Sequence, residues 1–217
     1  MTVNLWTANK KLTGKERKKK PITATPVPIT DHAKRRVVGN ERSRSWVIVY
    51  TGEGKGKTTA SLGIALRAAG YNMKVCMVQF VKGSWFTGEL NSSRLLAPNF
   101  RIIRAGKGFV GIMDDKQPFS KHRAAAKEAL RTSEEVISSG LYDIVILDEI
   151  NYALSRKLIG VKAVLTLIRR RPEHVNLVLT GRAAPRRIID ASDLVTNMQK
   201  IKHPYDKGMT ARKGIDF

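Results

Sequence analysis

The chain has 217 residues, 42% of them apolar, and 40 lysines and arginines against 18 aspartates and glutamates, which gives a net charge of +22. This size allows one folded domain with its own core, and the charge favours polyanionic partners such as nucleotides, nucleic acid or an anionic surface. No apolar stretch approaches the ~20 residues of a membrane span and the single Cys76 excludes an internal disulfide, so we expect a cytoplasmic protein with no membrane contact.

Residues 1–45 are predicted to form a basic and flexible N-terminal arm, or a lid. This segment has twelve basic and three acidic side chains, and three prolines interrupt it. A short helix within residues 31–42 is one option for part of it. Residues 46–217 are predicted to form the folded domain, which is itself basic with a net charge of +13.

Strand and helix patterns alternate from Trp46 onward, and this alternation predicts an α/β fold. Continuous apolar strands such as residues 144–147 indicate a mostly parallel sheet with helices on both faces, and Cys76 is predicted to be buried in such a strand. The stretches 82–98 and 106–118 are predicted to be loops at the carboxyl ends of strands, where such sheets bind ligands. The predicted strands are 46–51, 74–81, 100–105, 142–148, 175–180 and 194–201, and the predicted helices are 57–69, 119–138, 161–170 and 185–191.

A glycine-rich loop joins the first predicted strand to the first predicted helix, and residues 51–59 read TGEGKGKTT. Glycines let backbone N–H groups approach phosphate oxygens, and the helix N-terminus adds its positive dipole end. Lys57 adds a point charge, and Thr58 offers a hydroxyl to a magnesium ion. The order predicts a P-loop NTPase-like, RecA-like fold that binds a nucleoside triphosphate. The predicted phosphate-binding residues are Gly52, Glu53, Gly54, Lys55, Gly56, Lys57, Thr58 and Thr59.

This loop is one residue shorter than the usual phosphate-binding loop. Thr51 stands where the first glycine is expected, and Gly52 takes that role instead. A shorter loop must wrap the phosphates differently. The sequence therefore indicates that a triphosphate binds, and it does not indicate to the same degree that the γ-phosphate is hydrolysed.

A second apolar strand ends in Asp148 and Glu149. Acidic residues at the end of a buried strand are costly unless they face a metal or another cation, and in P-loop proteins this position holds magnesium. If the strand continues through both residues, they point to opposite faces. One would then serve the metal, and the other would cap the next helix or contact the substrate. A helix N-cap is the alternative for Asp148 alone.

Four further residues follow strand ends, and each has a structural alternative. Arg182 is suited to clamp a phosphate or carboxylate, or it is a solvated surface cation. Lys82 and Glu89 either reach the site or remain solvated loop charges. Phe109 lies between two glycines and either stacks on a flat ligand or anchors its loop in the core.

These motifs resemble those of corrinoid adenosyltransferases of the ATP:cob(I)alamin, P-loop type, in the family's order over about residues 45–217. The short glycine loop and the last two motifs are the most specific part of the resemblance. The matching motifs are TGEGKGKTT at 51–59, VQFVKG at 78–83, TGE at 87–89, ILDE at 146–149, LTGR at 179–182 and IKHPYDKG at 201–208, followed by ARKGIDF.

The resemblance implies an enzyme that moves the 5′-deoxyadenosyl group of ATP to the Co(I) centre of a corrinoid and releases intact triphosphate. It implies catalytic roles for Lys57, Thr58 and Glu149, and a Mg²⁺ or Mn²⁺ ion on Thr58, Asp148 and Glu149. It also implies a homodimer and an electron donor such as a flavoprotein. The acceptor is either a finished cobalamin or a biosynthetic precursor.

Similar enzymes displace the lower axial ligand of a Co(II) corrinoid with bulky side chains in a loop, and Phe109 matches their phenylalanine. Gly111 stands where relatives have a tryptophan, so Trp85, Phe86 or Ile112 are candidates for that part of the role.

Two other classes of protein share the phosphate cradle. A RecA-like ATPase acting on nucleic acid would use the positive charge and the basic arm, but residues 148–151 do not form a helicase box. A small-molecule kinase would need an acceptor site linked to the metal. Nucleic acid is therefore not an expected partner. The released product separates the three classes, because it is triphosphate, orthophosphate or a phosphorylated small molecule.

Overall fold

The computed structural model describes residues 45–83, 86–110, 115 and 117–217. Within these residues the strands are β1 (Val47–Thr51), β2 (Val75–Gln79), β3 (Phe100–Arg104), β4 (Ile144–Asp148), β5 (Asn176–Thr180) and β6 (Leu194–Asn197). They form one sheet in the order β3-β2-β4-β5-β1-β6, and each neighbouring pair is parallel.

Helices follow most of the strands. In the described part of the chain they are α1 (Lys57–Ala69), α2 (Glu89–Leu95), α3 (Phe119–Ser138), α4 (Ile150–Ser155), α5 (Val161–Arg170) and α6 (Arg186–Asp190), with a 3-10 turn at Pro204–Lys207. Parallel strands place all their carboxyl ends at one edge of the sheet. The loops after β1, β2, β4 and β5 therefore gather at that edge.

Both faces of the sheet are covered, because alternate strand residues pack into two separate apolar clusters. Ile144 and Ile146 of β4 pack on one face with α1. Val145 and Leu147 pack on the other face with α3 and α5. The predicted α/β fold with a parallel sheet between two helical layers is confirmed. Its physical basis is the unbroken apolar sequence of strands such as β4, all of which is buried.

Most predicted elements have nearly the predicted bounds, and α1, α3 and α5 match them to the residue. The predicted strands 74–81, 142–148 and 194–201 are longer than β2, β4 and β6 by two to four residues. Cys76 is buried in β2 as predicted, and burial raises the pKa of its thiol to about 11.

The prediction of a loop over residues 82–98 is wrong, because α2 lies within it. This helix buries Glu89 and Ser93, so its sequence has no apolar period of 3.6 residues that would identify it. The helix α4 is also absent from the predicted elements. It has only six residues, and it begins directly after Glu149, which adopts a left-handed φ of 62°.

Several predictions fall outside the described residues. They concern residues 1–44 of the N-terminal arm, with the short helix at 31–42, and the residues Trp85, Gly111 and Ile112. Phe86 is described and is exposed. None of the helices in the described part of the chain is both long enough and apolar enough to cross a bilayer.

Candidate active site

The glycine-rich loop between β1 and α1 packs against the segment that follows β6. The Gly54 N–H donates to the Met198 carbonyl at 2.7 Å. A Cβ atom on Gly52 would lie 2.4 Å from the Met198 oxygen, and one on Gly54 would lie 2.5 Å from the Gln199 oxygen. Gly52 also has a φ of 99°, which other residues rarely adopt. This close contact between backbones requires glycine at both positions. Close approach of a phosphate group would be a second reason for glycine there.

Lys57 is the first residue of α1, and its side chain folds back into the loop. The ammonium donates to the carbonyl oxygens of Gly52 at 2.7 Å and Gly54 at 2.6 Å. These two bonds use two of the three donors of the ammonium. Burial lowers the pKa of Lys57, while the nearby Glu149 counteracts this effect. The side chain is therefore a partly desolvated cation held at the centre of the loop.

Asp148 lies beneath the loop at the end of β4, between two hydroxyl groups. Its Oδ1 accepts hydrogen bonds from Thr58 at 2.9 Å and from Thr180 at 2.8 Å. The residue is fully buried, and its Oδ2 has no hydrogen-bond partner among the described residues. Burial raises the pKa of this carboxyl group. A buried carboxylate oxygen without a partner is costly, and a divalent cation would remove that cost.

Glu149 follows directly but is not part of the strand. Because its φ is 62°, the condition that β4 continues through both acidic residues is not met. Glu149 occupies the N-cap position of α4 with no side-chain capping bond, so the helix cap considered for Asp148 lies one residue later. The Glu149 N–H donates to the Thr180 hydroxyl at 2.9 Å. Burial, and then the neighbouring Asp148, raise the pKa of Glu149 to about 7.

The raised pKa of Glu149 predicts how the stability of the metal-free protein depends on pH. In the unfolded chain this carboxyl loses its proton near pH 4.5, whereas in the fold it keeps the proton up to about pH 7. The folded state binds more protons between these values, so stability falls as pH rises through that window. Glu149→Gln should remove this loss, and its stability relative to wild type should rise by up to roughly 3 kcal/mol across the window. Urea unfolding in EDTA at a series of pH values measures this difference. Parallel pH profiles for the two proteins would contradict the shift.

The oxygen atoms of these side chains are suited to a magnesium ion that also binds water and substrate phosphates. They are less suited to a metal ion that protein side chains alone would coordinate. No group of three or more His, Cys, Asp or Glu side chains comes together among the described residues. Magnesium usually takes one or two carboxylates and completes its shell with waters and substrate phosphates. The unpartnered Oδ2 of Asp148, with Thr58 and Glu149 beside it, is suited to such an ion.

Lys82 and Glu89 form a second charged group next to the loop. Lys82 pairs with Glu89 through a hydrogen-bonded ion pair, and Gln79 Nε2 donates to the same carboxylate oxygen at 3.3 Å. Burial would raise the pKa of Glu89, but the contacts with Lys82 outweigh it and lower that pKa. Glu89 is therefore ionised at neutral pH. The two side chains satisfy each other, so neither is the solvated loop charge considered as the alternative.

One cavity of about 940 Å³ connects these groups. Arg182 lies on its rim, 3.4 Å from the carboxylate of Glu53, and both of these side chains are largely exposed. Phe109 also lines the cavity, and the residue is 38% exposed. Gly52 and Asp148 are the two predicted site residues that do not line it. The predicted residues that do are Glu53, Gly54, Lys55, Gly56, Lys57, Thr58, Thr59, Lys82, Glu89, Phe109, Glu149 and Arg182.

The last residues of the sequence form part of the same cavity wall. The segment 212–217 folds into a turn in which the Arg212 N–H donates to Asp216 Oδ2 at 2.7 Å. The other oxygen of this carboxylate pairs with Lys55 of the glycine-rich loop. Ile215, Asp216 and Phe217 all line the cavity. A carboxylate of the chain itself therefore pairs with a lysine of the glycine-rich loop.

We expect Asp216→Asn to bind ATP more tightly than the wild type, by about threefold to tenfold, because the triphosphate no longer competes with a carboxylate for Lys55. Isothermal titration with a non-reactive ATP analogue measures the affinity. Asp206→Asn is a matched control, since Asp206 makes its ion pair with Lys200 elsewhere. Weaker binding in Asp216→Asn would mean that Asp216 orients Lys55 for the nucleotide instead.

Among the residues of this site that the sequence predictions do not include, Thr180, Asp216 and Tyr152 make the most specific contacts. Thr180 is the last residue of β5 and stands two residues before the predicted Arg182. Its position at a strand end is the sequence feature that could have identified it as a site residue. Asp216 lies in the last motif, but nothing in its spacing indicates contact with Lys55. Tyr152 lines the cavity from α4, and no pattern in the sequence identifies it.

Comparisons with known proteins agree with this geometry. The family model for ATP:corrinoid adenosyltransferase BtuR/CobO/CobP matches residues 43–217. Corrinoid adenosyltransferase CobA of Salmonella typhimurium is 33% identical over 189 residues, which are 87% of this chain and 94% of the relative. Corrinoid adenosyltransferase of Escherichia coli is 34% identical over 182 residues, 84% of this chain and 90% of the relative. A corrinoid adenosyltransferase of Sinorhizobium sp. is 36% identical over 176 residues, 79% of each chain.

A solved structure, that of the flagellar accessory protein FlaH from Methanocaldococcus jannaschii, superimposes on 70% of the chain with a TM-score of 0.48 and 14% identity. The family match is much more extensive. It covers every described element, from β1 and the glycine-rich loop to the segment 212–217. The chain therefore belongs to the ATP:corrinoid adenosyltransferase family and is a transferase.

Proposed function

We propose that this protein transfers the 5′-deoxyadenosyl group of ATP to the Co(I) centre of a corrinoid and releases triphosphate. One observation carries the proposal: Lys57 of the phosphate-binding loop and the exposed ring of Phe109 line the same cavity. A triphosphate and a flat macrocycle can therefore meet there. Family membership supports the same chemistry and does not favour the alternative of an ATPase acting on nucleic acid.

In this reaction the Co(I) of the substrate is the nucleophile. It attacks C5′ of ATP, a cobalt–carbon bond forms, and the C5′–O bond breaks with its electron pair leaving on the triphosphate. No side chain has to form a covalent bond. The protein instead orients C5′ and stabilises the negative charge that develops on the leaving group.

Lys57 is suited to that electrostatic role. Its ammonium is already partly desolvated and donates hydrogen bonds to two loop carbonyls. A short movement of the side chain would let it donate to phosphate oxygens instead. Lys55 and the N–H groups of the loop add to the positive field. A Mg²⁺ or Mn²⁺ ion on Thr58, Asp148 and Glu149 would supply further charge stabilisation to the triphosphate.

We further propose that the enzyme is a cytoplasmic homodimer that receives electrons from a flavoprotein, as the resemblance to this family implies. The acceptor is cobalamin or an earlier corrinoid. Residues 1–45 keep their proposed role as a basic arm or lid.

Phe109→Ala is expected to slow turnover from a Co(II) corrinoid by at least about tenfold, while turnover from chemically reduced Co(I) falls much less. The ring would press against the corrinoid face and favour loss of the lower ligand, a step needed only when the cobalt has yet to be reduced. Parallel assays from the two oxidation states measure the difference. Phe119→Ala is a control, since Phe119 is exposed at the start of α3. An equal loss in both assays would leave Phe109 with a packing role only.

The reaction itself is tested by its products. We expect triphosphate to appear in step with the alkylated corrinoid. Orthophosphate without cobalt alkylation would overturn the proposal.

A further inference from the structure

Tyr152 of α4 makes two specific contacts with the Phe109 loop, although the reaction described above does not use it. Its hydroxyl accepts a hydrogen bond from the Val110 backbone N–H at 3.2 Å. Its ring meets the Phe109 ring edge to face, with centroids 5.3 Å apart and an interplanar angle of 79°. Tyr152 is only 7% exposed, whereas Phe109 is 38% exposed. The buried ring therefore supports the exposed one.

Tyr152 is itself held in place from a second direction. Arg156, one turn later on α4, donates from Nε to the Tyr152 hydroxyl at 3.4 Å, and its guanidinium lies 5.5 Å from the centre of the Tyr152 ring. The helix starts directly after Glu149 and is buried along most of its length. The position of Tyr152 is thus fixed relative to the acidic end of β4.

The Phe109 loop is also attached to the end of β2 and to the residues that directly follow it. The N–H groups of Ala105 and Gly106 both donate to the Gln79 carbonyl at 3.1 Å, and the Gly108 N–H donates to the Val81 carbonyl at 2.6 Å. These bonds end one residue before Phe109. Beyond them, within the described part of the chain, Tyr152 contacts both the Phe109 ring and the Val110 backbone.

We infer that Tyr152 is a positioning residue that sets the pose of Phe109 against the corrinoid, and so links the metal-binding end of β4 to the acceptor side of the cavity. This inference rests on the proposed function. It concerns acceptor activation and not nucleotide binding, because the contacts of Tyr152 are made with Phe109, Val110 and Arg156.

Two substitutions separate the two contacts. Tyr152→Phe keeps the ring and removes the acceptor for Val110, and we expect turnover from a Co(II) corrinoid to fall by about threefold. Tyr152→Leu also removes the edge-to-face contact, and we expect a fall of about tenfold or more. In both variants the Kd for an ATP analogue and the turnover from chemically reduced Co(I) should stay within about twofold of the wild type.

The decisive experiment is a double-mutant cycle with Phe109→Ala. If Tyr152 acts through Phe109, then Tyr152→Leu should slow the Phe109→Ala variant by no more than about twofold further. The visible spectrum of the bound Co(II) corrinoid should show the same loss of the four-coordinate form in both single variants. Tyr142→Phe, a half-buried tyrosine that packs against the core elsewhere, is the matched control.

The inference would be wrong if the two losses of turnover multiplied in the double variant, or if the Tyr152 variants bound the ATP analogue more weakly. In either case, alkylation of the corrinoid by the wild type would still support the proposed function. If the wild type alkylates no corrinoid, the proposed function fails and the inference fails with it. Circular dichroism and thermal unfolding check the fold, and the near-isosteric Tyr152→Phe keeps the test valid if Tyr152→Leu unfolds.

Discussion

Replacing Lys57 by alanine is expected to lower turnover by at least about a thousandfold, which corresponds to ~4 kcal/mol of transition-state stabilisation. The leaving triphosphate gains charge as the C5′–O bond breaks, and Lys57 is the buried cation at the centre of its cradle. The fold should survive, because the side chain contributes only two hydrogen bonds to its own loop. Steady-state turnover with chemically reduced Co(I) corrinoid measures the loss.

The matched control is Lys127→Ala, which removes an exposed lysine on the same kind of element, the helix α3. It should retain wild-type turnover. If Lys57→Ala also retained turnover, with a native-like circular dichroism spectrum, the assignment of the loop as a triphosphate cradle would be wrong.

The second large effect is expected for Asp148→Asn, with turnover reduced by about a hundredfold or more and the dependence on magnesium largely lost. The asparagine oxygen can still accept from Thr58 and Thr180, so the local hydrogen bonds can persist. The amide lacks the negative charge that a cation needs. Because the variant also removes a buried carboxyl whose pKa is raised, its thermal stability without metal should equal or exceed that of the wild type.

Magnesium titrations of turnover and Mn²⁺ binding followed by electron paramagnetic resonance test this expectation. Asp143→Asn is the control, because Asp143 directly precedes β4, at the end of the strand opposite Asp148. Its carboxylate accepts a hydrogen bond from the Lys74 N–H at 2.7 Å. Normal half-saturation by magnesium in Asp148→Asn would remove Asp148 from the metal site. A large loss of stability would instead give Asp148 a structural role.

Much of the site is predictable from the sequence because parallel strands carry their ends to a common edge. Lys57, Thr58 and Asp148 belong to motifs at the ends of two apolar strands, and the fold brings them together as the α/β pattern requires. The hydrogen bond from Thr58 to Asp148 joins these two motifs directly. Once the strand order is known, the number of residues that separate the two motifs in the sequence does not affect this prediction.

Other parts of the site depend on contacts that no local pattern encodes. The ion pair between Lys55 and Asp216 joins the first and last motifs of the domain. The glycines at 52 and 54 are required by the backbone of residues 198–199, a contact that the loop sequence alone does not show. The helix α2 is difficult to predict because it buries Glu89, a charged residue that is stabilised in the interior by its ion pair with Lys82 and a hydrogen bond from Gln79.

Asp148 and Glu149 show which features of a site a sequence motif predicts and which it does not. The motif identifies two adjacent carboxylates, and strand geometry predicts that they diverge. The left-handed turn at Glu149 ends the strand between them, and their environments then differ. Asp148 is held by two hydroxyls, whereas Glu149 is the N-cap residue of α4 and has its pKa raised to about 7.

The most direct test is an anaerobic reaction of the full chain with ATP, magnesium and chemically reduced cob(I)alamin. The visible spectrum follows the cobalt, and ion chromatography identifies the phosphate product. We predict loss of the Co(I) band, formation of a light-sensitive alkylcobalamin, and one triphosphate for each cobalt–carbon bond. Release of orthophosphate that is stimulated by nucleic acid, with no alkylation of cobalt, would contradict the proposed reaction and would make the positive charge of the chain the better guide to its function.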